Sequence, residues 1–306
     1  MAIYSTSTAA FYDRSRMSMS SLRLQAESYQ QQLSTGDRLE RSSDDPVAAS
    51  RLRTLSRTGR LSQIDAANAD RAATDLTLAD STLSSIADVL ARAQELAVQA
   101  GSSTMSDTNR AAIATEMEQI HQQLFSLANT RDATGHALFG GETAGDAYAL
   151  NGAGTAVYIG TAAADELDVG EGQNVPRSVT GPDIFAFDDN GTPADAMAVV
   201  QQLAAALAGA SADPAAAARD AAGSLSNAIE NVTTSQTVVG ARLAWIDFVQ
   251  ARQTDMGELR AAEENELGGI DIASTVINLQ EALTALEASQ ASFTKLSSIS
   301  LFNHIG

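Results

Sequence analysis

Between Leu76 and Ala100 one series of apolar and small residues keeps steps of three and four: Leu76, Ala79, Leu83, Ile86, Leu90, Ala93, Ala97 and Ala100. Steps of three and four cannot come from a strand, whose side chains repeat every second residue, but on a helix they draw one narrow stripe, the seam of a coiled coil. Nothing interrupts it. After Pro46 the next proline is Pro176, and without proline a helix interior keeps all its backbone donors. The chain is therefore committed to long helices that must bury a stripe against a partner.

The same spacing recurs at both ends. Tyr12, Ser15, Met19, Leu22, Ala26, Tyr29 and Leu33 predict a first helix to about Leu33, ended by Ser34-Thr-Gly36 because Gly36 accepts the left-handed conformation that closes a helix. Ile272, Val276, Leu279, Leu283, Leu286, Gln290 and Phe293 predict a last helix after the Gly268-Gly269 break. Between them, Asp45-Pro46, Ser106-Asp107 and Asp213-Pro214 read as helix starts, with Gly101 as a stop. Ile113, Met117, Ile120, Leu124 and Leu127 give the helix after Ser106 one apolar face, so it should form an antiparallel hairpin with its predecessor. The long segment after Pro214 carries a looser seam: Leu225, Ile229, Val232, Val239, Leu243 and Ile246. Neither terminal helix is stable alone in water, so the two must pack together or onto other molecules.

From Gly135 to about Asp195 glycines punctuate short apolar clusters such as Val157-Tyr158-Ile159, the mark of short strands and turns. The expected organisation is a mainly α chain of long helices in a coiled-coil or bundle arrangement built by both arms. Residues 1–45 and 270–306 form a terminal coiled-coil domain, 46–135 and 195–269 a helical body, and 136–194 a β-rich insert at the tip. The insert is expected to be the most solvent-exposed part and to tolerate excision.

Charge excludes several functions. The net charge is −19, which disfavours nucleic acid and anionic membrane as partners, since phosphate binding requires neutralisation by Lys and Arg. Its distribution is uneven: residues 1–60 hold nine Arg against six acids, while 136–220 hold twelve acids against two Arg. No window is long and apolar enough to span a bilayer, and the first eleven residues lack the basic and apolar regions of a cleavable signal. With no cysteine there are no disulfides, thiolate metal sites or cysteine nucleophiles.

Catalytic constellations are not legible. His121, His136 and His304 are far apart, and His121 lacks the HExxH context of a zinc helix. Asp188-Asp-Asn-Gly191 resembles a calcium loop but lacks its alternating ligands and reads as a β-turn; Gly140-Gly-Glu-Thr-Ala-Gly145 lacks the lysine of a phosphate loop. No cofactor or metal is expected. Arg53, Arg57 and Arg60 lie at helical spacing on one face and are candidates for contact with an acidic neighbouring subunit, against the plainer reading of a solvated face.

The motifs then identify a resemblance. Tyr29-Gln-Gln-Gln-Leu-Ser-Thr-Gly-Asp-Arg-Leu39 followed by Ser43-Asp-Asp-Pro-Val-Ala-Ala49, Glu95-Leu-Ala-Val-Gln-Ala-Gly101, Leu127-Ala-Asn-Thr-Arg-Asp132, Leu138-Phe-Gly-Gly141, Val239-Gly-Ala-Arg-Leu243 and Leu283-Thr-Ala-Leu-Glu-Ala-Ser-Gln-Ala-Ser-Phe293 resemble the flagellar axial proteins, and among them the hook-associated protein 3 family. Flagellins share the Leu-Ser-Thr-Gly turn, but typically continue the Asp-Asp pair with Ala-Ala-Gly where this chain has Pro46-Val-Ala. Ala2 and the residues beyond Phe302 depart from the hook-associated pattern.

The resemblance implies an extracellular, non-enzymatic adaptor between hook and filament, exported unfolded by a type III route without a cleaved signal. Its implied partners are further copies of itself in a ring, the first hook-associated protein, flagellin and an export chaperone. The assembly seams would be the terminal ones, Tyr12 to Leu33 and Ile272 to Phe293. A short flagellin subunit is the alternative, and a surface adhesin using the insert a weaker one, since the insert holds few aromatics, Tyr148, Tyr158, Phe185 and Phe187 beside Phe139.

Overall fold

The structure is a computed structural model that describes residues 3–39 and 41–305, with side chains for 10–39 and 41–295. Met1, Ala2 and the side chains beyond Phe302, on which part of the signal-sequence and family readings rested, lie outside these described residues. Seven α-helices dominate: α1 (Ile3–Thr35), α2 (Pro46–Ala100), α3 (Asp107–Ala128), the short α4 (Gly181–Phe185), α5 (Ala196–Ala205), α6 (Pro214–Gly268) and α7 (Ile272–Ile305). Three two-stranded antiparallel hairpins lie between α3 and α5: β1 (Tyr148–Leu150) with β2 (Ala156–Tyr158), β3 (Glu166–Asp168) with β4 (Asn174–Pro176), and β5 (Ala186–Asp189) with β6 (Thr192–Asp195).

The starts and stops follow from the capping residues. Asp45 accepts from the Ala48 amide at 3.0 Å, Ser106 from Asn109, and Asp213 from Ala216 at 2.9 Å, each satisfying an amide that the first helical turn leaves orphaned. The Ala48 amide is also the main cause of the lowered pKa of Asp45. Asp195 caps α5 through the Met197 and Ala198 amides. Gly36 takes φ +80°, where a side chain would be strained, and ends α1.

The chain forms two compact units, residues 1–60 with 255–306, and residues 61–254. The sequence reading put the boundary at 45/46 and 269/270, where caps and glycines signal breaks. α2 and α6 run unbroken past residues 60 and 254 and contribute to both units.

The core of the second unit is the seam read from sequence. Leu76, Ala79, Leu83, Ile86, Leu90, Ala93, Ala97 and Ala100 are fully buried, and Ile113, Met117, Ile120 and Leu124 of α3 are buried with them. Arg92 near the end of α2 pairs with Glu116 near the start of α3, consistent with the antiparallel hairpin. On α6, Leu225, Val232, Val239 and Ile246 are buried, and Ser235 fills the gap that made this seam look loose. Its hydroxyl donates to the Asp183 carbonyl at 2.8 Å, which lets a polar residue sit in the stripe.

The insert, expected to be the most solvent-exposed part, contributes large side chains to the core. Phe139, Tyr148, Val169, Val175, Val179, Ile184 and Phe185 are buried in the same core as the helices. The β3–β4 hairpin lies against the first part of this unit's α2, with Asn68 donating to the Asp168 carbonyl, and against α6, with Gln253 donating to the Val169 carbonyl, both at 2.8 Å. Within Asp188-Asp-Asn-Gly191 the last two residues form the two-residue turn of the β5–β6 hairpin, with Asn190 and Gly191 both at positive φ, the conformation an Asn-Gly pair favours. The Asp189 carboxylate is used locally, accepting from Ser224 and Asn227 of α6.

Candidate assembly surfaces

In the first unit α1 packs antiparallel against α7, as the edge-to-face pair Tyr12–Phe293 at 5.3 Å and the meeting of Gly36 with Ile270 at the other end require. On α1 the predicted seam faces inward: Ala26 is buried, and Tyr12, Met19, Leu22, Tyr29 and Leu33 are partly buried. On α7 the inward stripe is Thr275, Leu279, Ala282, Leu286, Ser289 and Phe293. It keeps the three-four rhythm and shares Leu279, Leu286 and Phe293 with the sequence reading. Ile272, Val276 and Leu283 instead face outward, with exposures of 65%, 38% and 44%. The helix thus carries two adjacent stripes, one toward α1 in which Thr275, Ala282 and Ser289 alternate with Leu279, Leu286 and Phe293, and one of apolar residues left open.

Where the two arms meet, the backbone is tied directly. The Arg38 amide donates to the Gly268 carbonyl at 2.7 Å, the Ile270 amide to the Gly36 carbonyl at 3.2 Å, and the Arg38 guanidinium to the Leu267 carbonyl at 2.8 Å. This gives a physical reason for the Leu33-Ser-Thr-Gly-Asp-Arg38 motif: the glycine turns the chain and the arginine pins the opposite arm. Arg51 makes a two-pronged pair with Glu263, at 2.5 and 2.9 Å, a geometry that fixes orientation more than it adds stability at a surface. Arg53, Arg57 and Arg60 are exposed. Arg53 donates to the Ala49 carbonyl; Arg57 and Arg60 have no hydrogen-bond or ion-pair partner among the described residues.

The other motifs hold the insert in place. Asn129 clamps β1 through both Tyr148 backbone groups, accepting from its amide at 2.9 Å and donating to its carbonyl at 3.1 Å. Arg242 donates to the Ser178 carbonyl at 2.6 Å; burial pulls its pKa below the usual arginine value. The Phe139 carbonyl accepts from the Gly181 amide at 2.9 Å.

Sequence reasoning missed the group at the centre of this packing. Arg177 pairs with Asp75 at 2.8 Å, Asp132 at 2.6 Å and Asp165 at 2.8 Å, and the side chains of Asp75 and Asp132 are almost wholly buried. Burial opposes the charge of Arg177, but its hydrogen bonds to Asp165, Asp75 and Asp132 hold it protonated above its ordinary range. Burial likewise pushes the Asp132 carboxyl up, and hydrogen bonds from Thr134, the His136 amide and Arg177 more than reverse this. With three carboxylates on one guanidinium the group is built as a clasp. Among the described residues no set of three His, Asp or Glu side chains is arranged to hold a metal ion.

Comparison with known proteins covers the chain in two ways. Residues 5–144 match the bacterial flagellin N-terminal helical region. Flagellar hook-associated protein 3 of Escherichia coli is 28% identical over 312 residues, covering 97% of this chain and 98% of that protein. The flagellar filament 41 kDa core protein of Borreliella burgdorferi is 32% identical, but over only 33% of this chain and 30% of its own length. Among solved structures, the flagellar hook-associated protein 3 of Legionella pneumophila superposes with a TM-score of 0.64 at 17% identity, covering 70% of this chain and 98% of that one, which speaks to the fold.

Proposed function

Because this chain is a homologue of flagellar hook-associated protein 3 along most of its length, we infer that it is a structural adaptor of the hook–filament junction. It is an extracellular flagellar component rather than an enzyme, and its partners are other parts of the flagellar assembly. The observation that carries the reading is the extent of the likeness: both arms and the insert align with the hook-associated protein, whereas the flagellin region matches residues 5–144 and the Borreliella burgdorferi filament protein a third of the chain.

At the finer level, subunits ring the distal hook, the first hook-associated protein lies beneath and flagellin polymerises above, with an export chaperone guarding the chain beforehand. Support comes from the outer stripe of α7. Ile272, Val276 and Leu283 continue a coiled-coil rhythm with no cover in the single chain, as expected of a helix that gains a further partner on assembly. The half-buried seam Tyr12, Met19, Leu22, Tyr29, Leu33 and Leu279, Leu286, Phe293 first joins the arms into one body. The division into terminal pair, helical body and insert follows the same logic, the terminal pair assembling and the body setting the outer contacts.

Cells lacking the protein should build normal hooks, carry no filaments and release monomeric flagellin into the medium, seen by electron microscopy and by immunoblotting of the supernatant. Shortened filaments still anchored to hooks would identify a filament subunit instead.

A further inference from the structure

Residues 46–60 at the start of α2 hold four Arg and no acid, whereas residues 255–268 at the end of α6 hold five acids against the single Arg260. Both stretches belong to the first unit. They lie side by side within it, for Arg51 holds Glu263 and Arg260 lies over Gly59. Oppositely charged neighbours of this kind could close a row of ion pairs between them. Among the described residues only Arg51 does so.

Helix geometry explains why. Ala48 and Leu55 are buried and mark the inward side of this part of α2, and Arg53, Arg57 and Arg60 stand roughly 130–170° around the helix from it. On α6, Asp255, Glu258 and Glu266 stand roughly 90–170° around from the side that carries Arg260 and Glu263. All six side chains are exposed. Arg57, Arg60 and the three acids have no hydrogen-bond or ion-pair partner among the described residues, and Arg53 bonds only to the Ala49 carbonyl of its own helix.

Each face therefore carries one sign. Arg53 and Arg57 are four residues apart and Arg57 and Arg60 three, spacings at which like charges repel along a helix, and no acid stands within a turn of any of them. A merely solvated face intersperses the two signs and avoids this repulsion. The complement that would relieve it is built into the same unit. Ala262 lies between Glu258 and Glu266 on the acidic face, so another helix can approach closely, and Leu259 beside it is 65% exposed.

We propose that the Arg53, Arg57 and Arg60 stripe of α2 docks on the Asp255, Glu258 and Glu266 face of α6 in a second copy of this chain. The proposal rests on the reading of the chain as a self-assembling adaptor. Each copy gives one face and receives on another, so the contact is heterologous and repeats around a ring. Facing rows of opposite charge fix orientation and register more than they add affinity.

The chain has no cysteine, so the contact can be tested with Ser56→Cys and Ala262→Cys in one protein, supplied as the sole copy to cells that build flagella. Both positions are exposed and both changes leave every charge in place. A short bismaleimide should convert the junction protein into a ladder of multimers, while either cysteine alone gives none. Filaments without a ladder, or cross-links to flagellin instead, overturn the proposal and leave the adaptor reading intact; that reading fails separately if cells lacking the protein retain filaments.

Charge reversal supplies a second measurement that needs no cysteine. Arg57→Glu with Arg60→Glu should lower the fraction of cells bearing filaments about tenfold or more, and so should Asp255→Arg with Glu258→Arg. All four substitutions in one chain should bring the filaments back, because each reversed face again meets its opposite. Filaments that survive both single-face reversals overturn the proposal. So does their absence from cells carrying the fourfold variant when that purified protein keeps the thermal midpoint of the unaltered chain.

Discussion

Replacing Arg177 by methionine keeps much of the side chain's volume but removes the cation shared by Asp75, Asp132 and Asp165. Two nearly buried carboxylates then lack their counter-charge, a loss of about 3–5 kcal/mol. For a unit of this size that is a fall of roughly 10 °C in thermal midpoint, measurable by circular dichroism, and an unchanged midpoint would show that the clasp is dispensable. Asp132 gives the acid side of the same argument. Its folded pKa lies below its unfolded value, so its contribution is present above about pH 3.9 and lost as pH falls through the folded value. Urea midpoints should therefore drop on going from pH 5 to pH 2.5, and Asp132→Asn, less stable at pH 5, should drop less.

At the scale of elements, α7 separates two roles that the sequence merged. Ala282 is buried against α1, while its neighbour Leu283 is open. Ala282→Asp should therefore break the α1–α7 pairing at a cost of about 3 kcal/mol or more, seen as faster proteolysis of both ends. Leu283→Asp should leave that proteolysis pattern unchanged and still block filament formation in cells. Equal effects of the two would mean that the stripes are not distinct.

The comparison also shows what was legible. The start and end of α2 and the start of α3 are legible because proline, caps and a strict period agree, and the Asp188 to Gly191 turn because Asn-Gly has few other uses. On α7 Leu279, Leu286 and Phe293 are common to the sequence seam and the inward stripe, while Val276 and Leu283 stand where Thr275 and Ala282 face inward, because apolarity alone selects the larger residue of each neighbouring pair. Arg177 gave no signal. Its partners lie 102, 45 and 12 residues away, and only the folded backbone brings them together.

For the whole molecule, the seating of the insert changes the expected result of removing it. Excising residues 146–179 with a Gly-Ser bridge takes away Tyr148, Val169, Val175 and Val179 from the common core and Arg177 from its carboxylates. The body should lose cooperative thermal unfolding rather than remain intact; a sharp transition at the original midpoint would restore the view of the insert as an appendage. The tie between the arms has a different consequence, one of timing. The Gly36 carbonyl and the Arg38 amide bond to Ile270 and Gly268, so an earlier stretch of the chain is completed by one that follows it only after both long helices. Closing so long a loop is slow, and until it closes α1 is too weakly helical on its own to hold its shape in water. Residues 61–254 all precede the second half of that tie, whereas the unit that joins Gly36 to Ile270 waits for both stretches, a delay set by the order of its sequence.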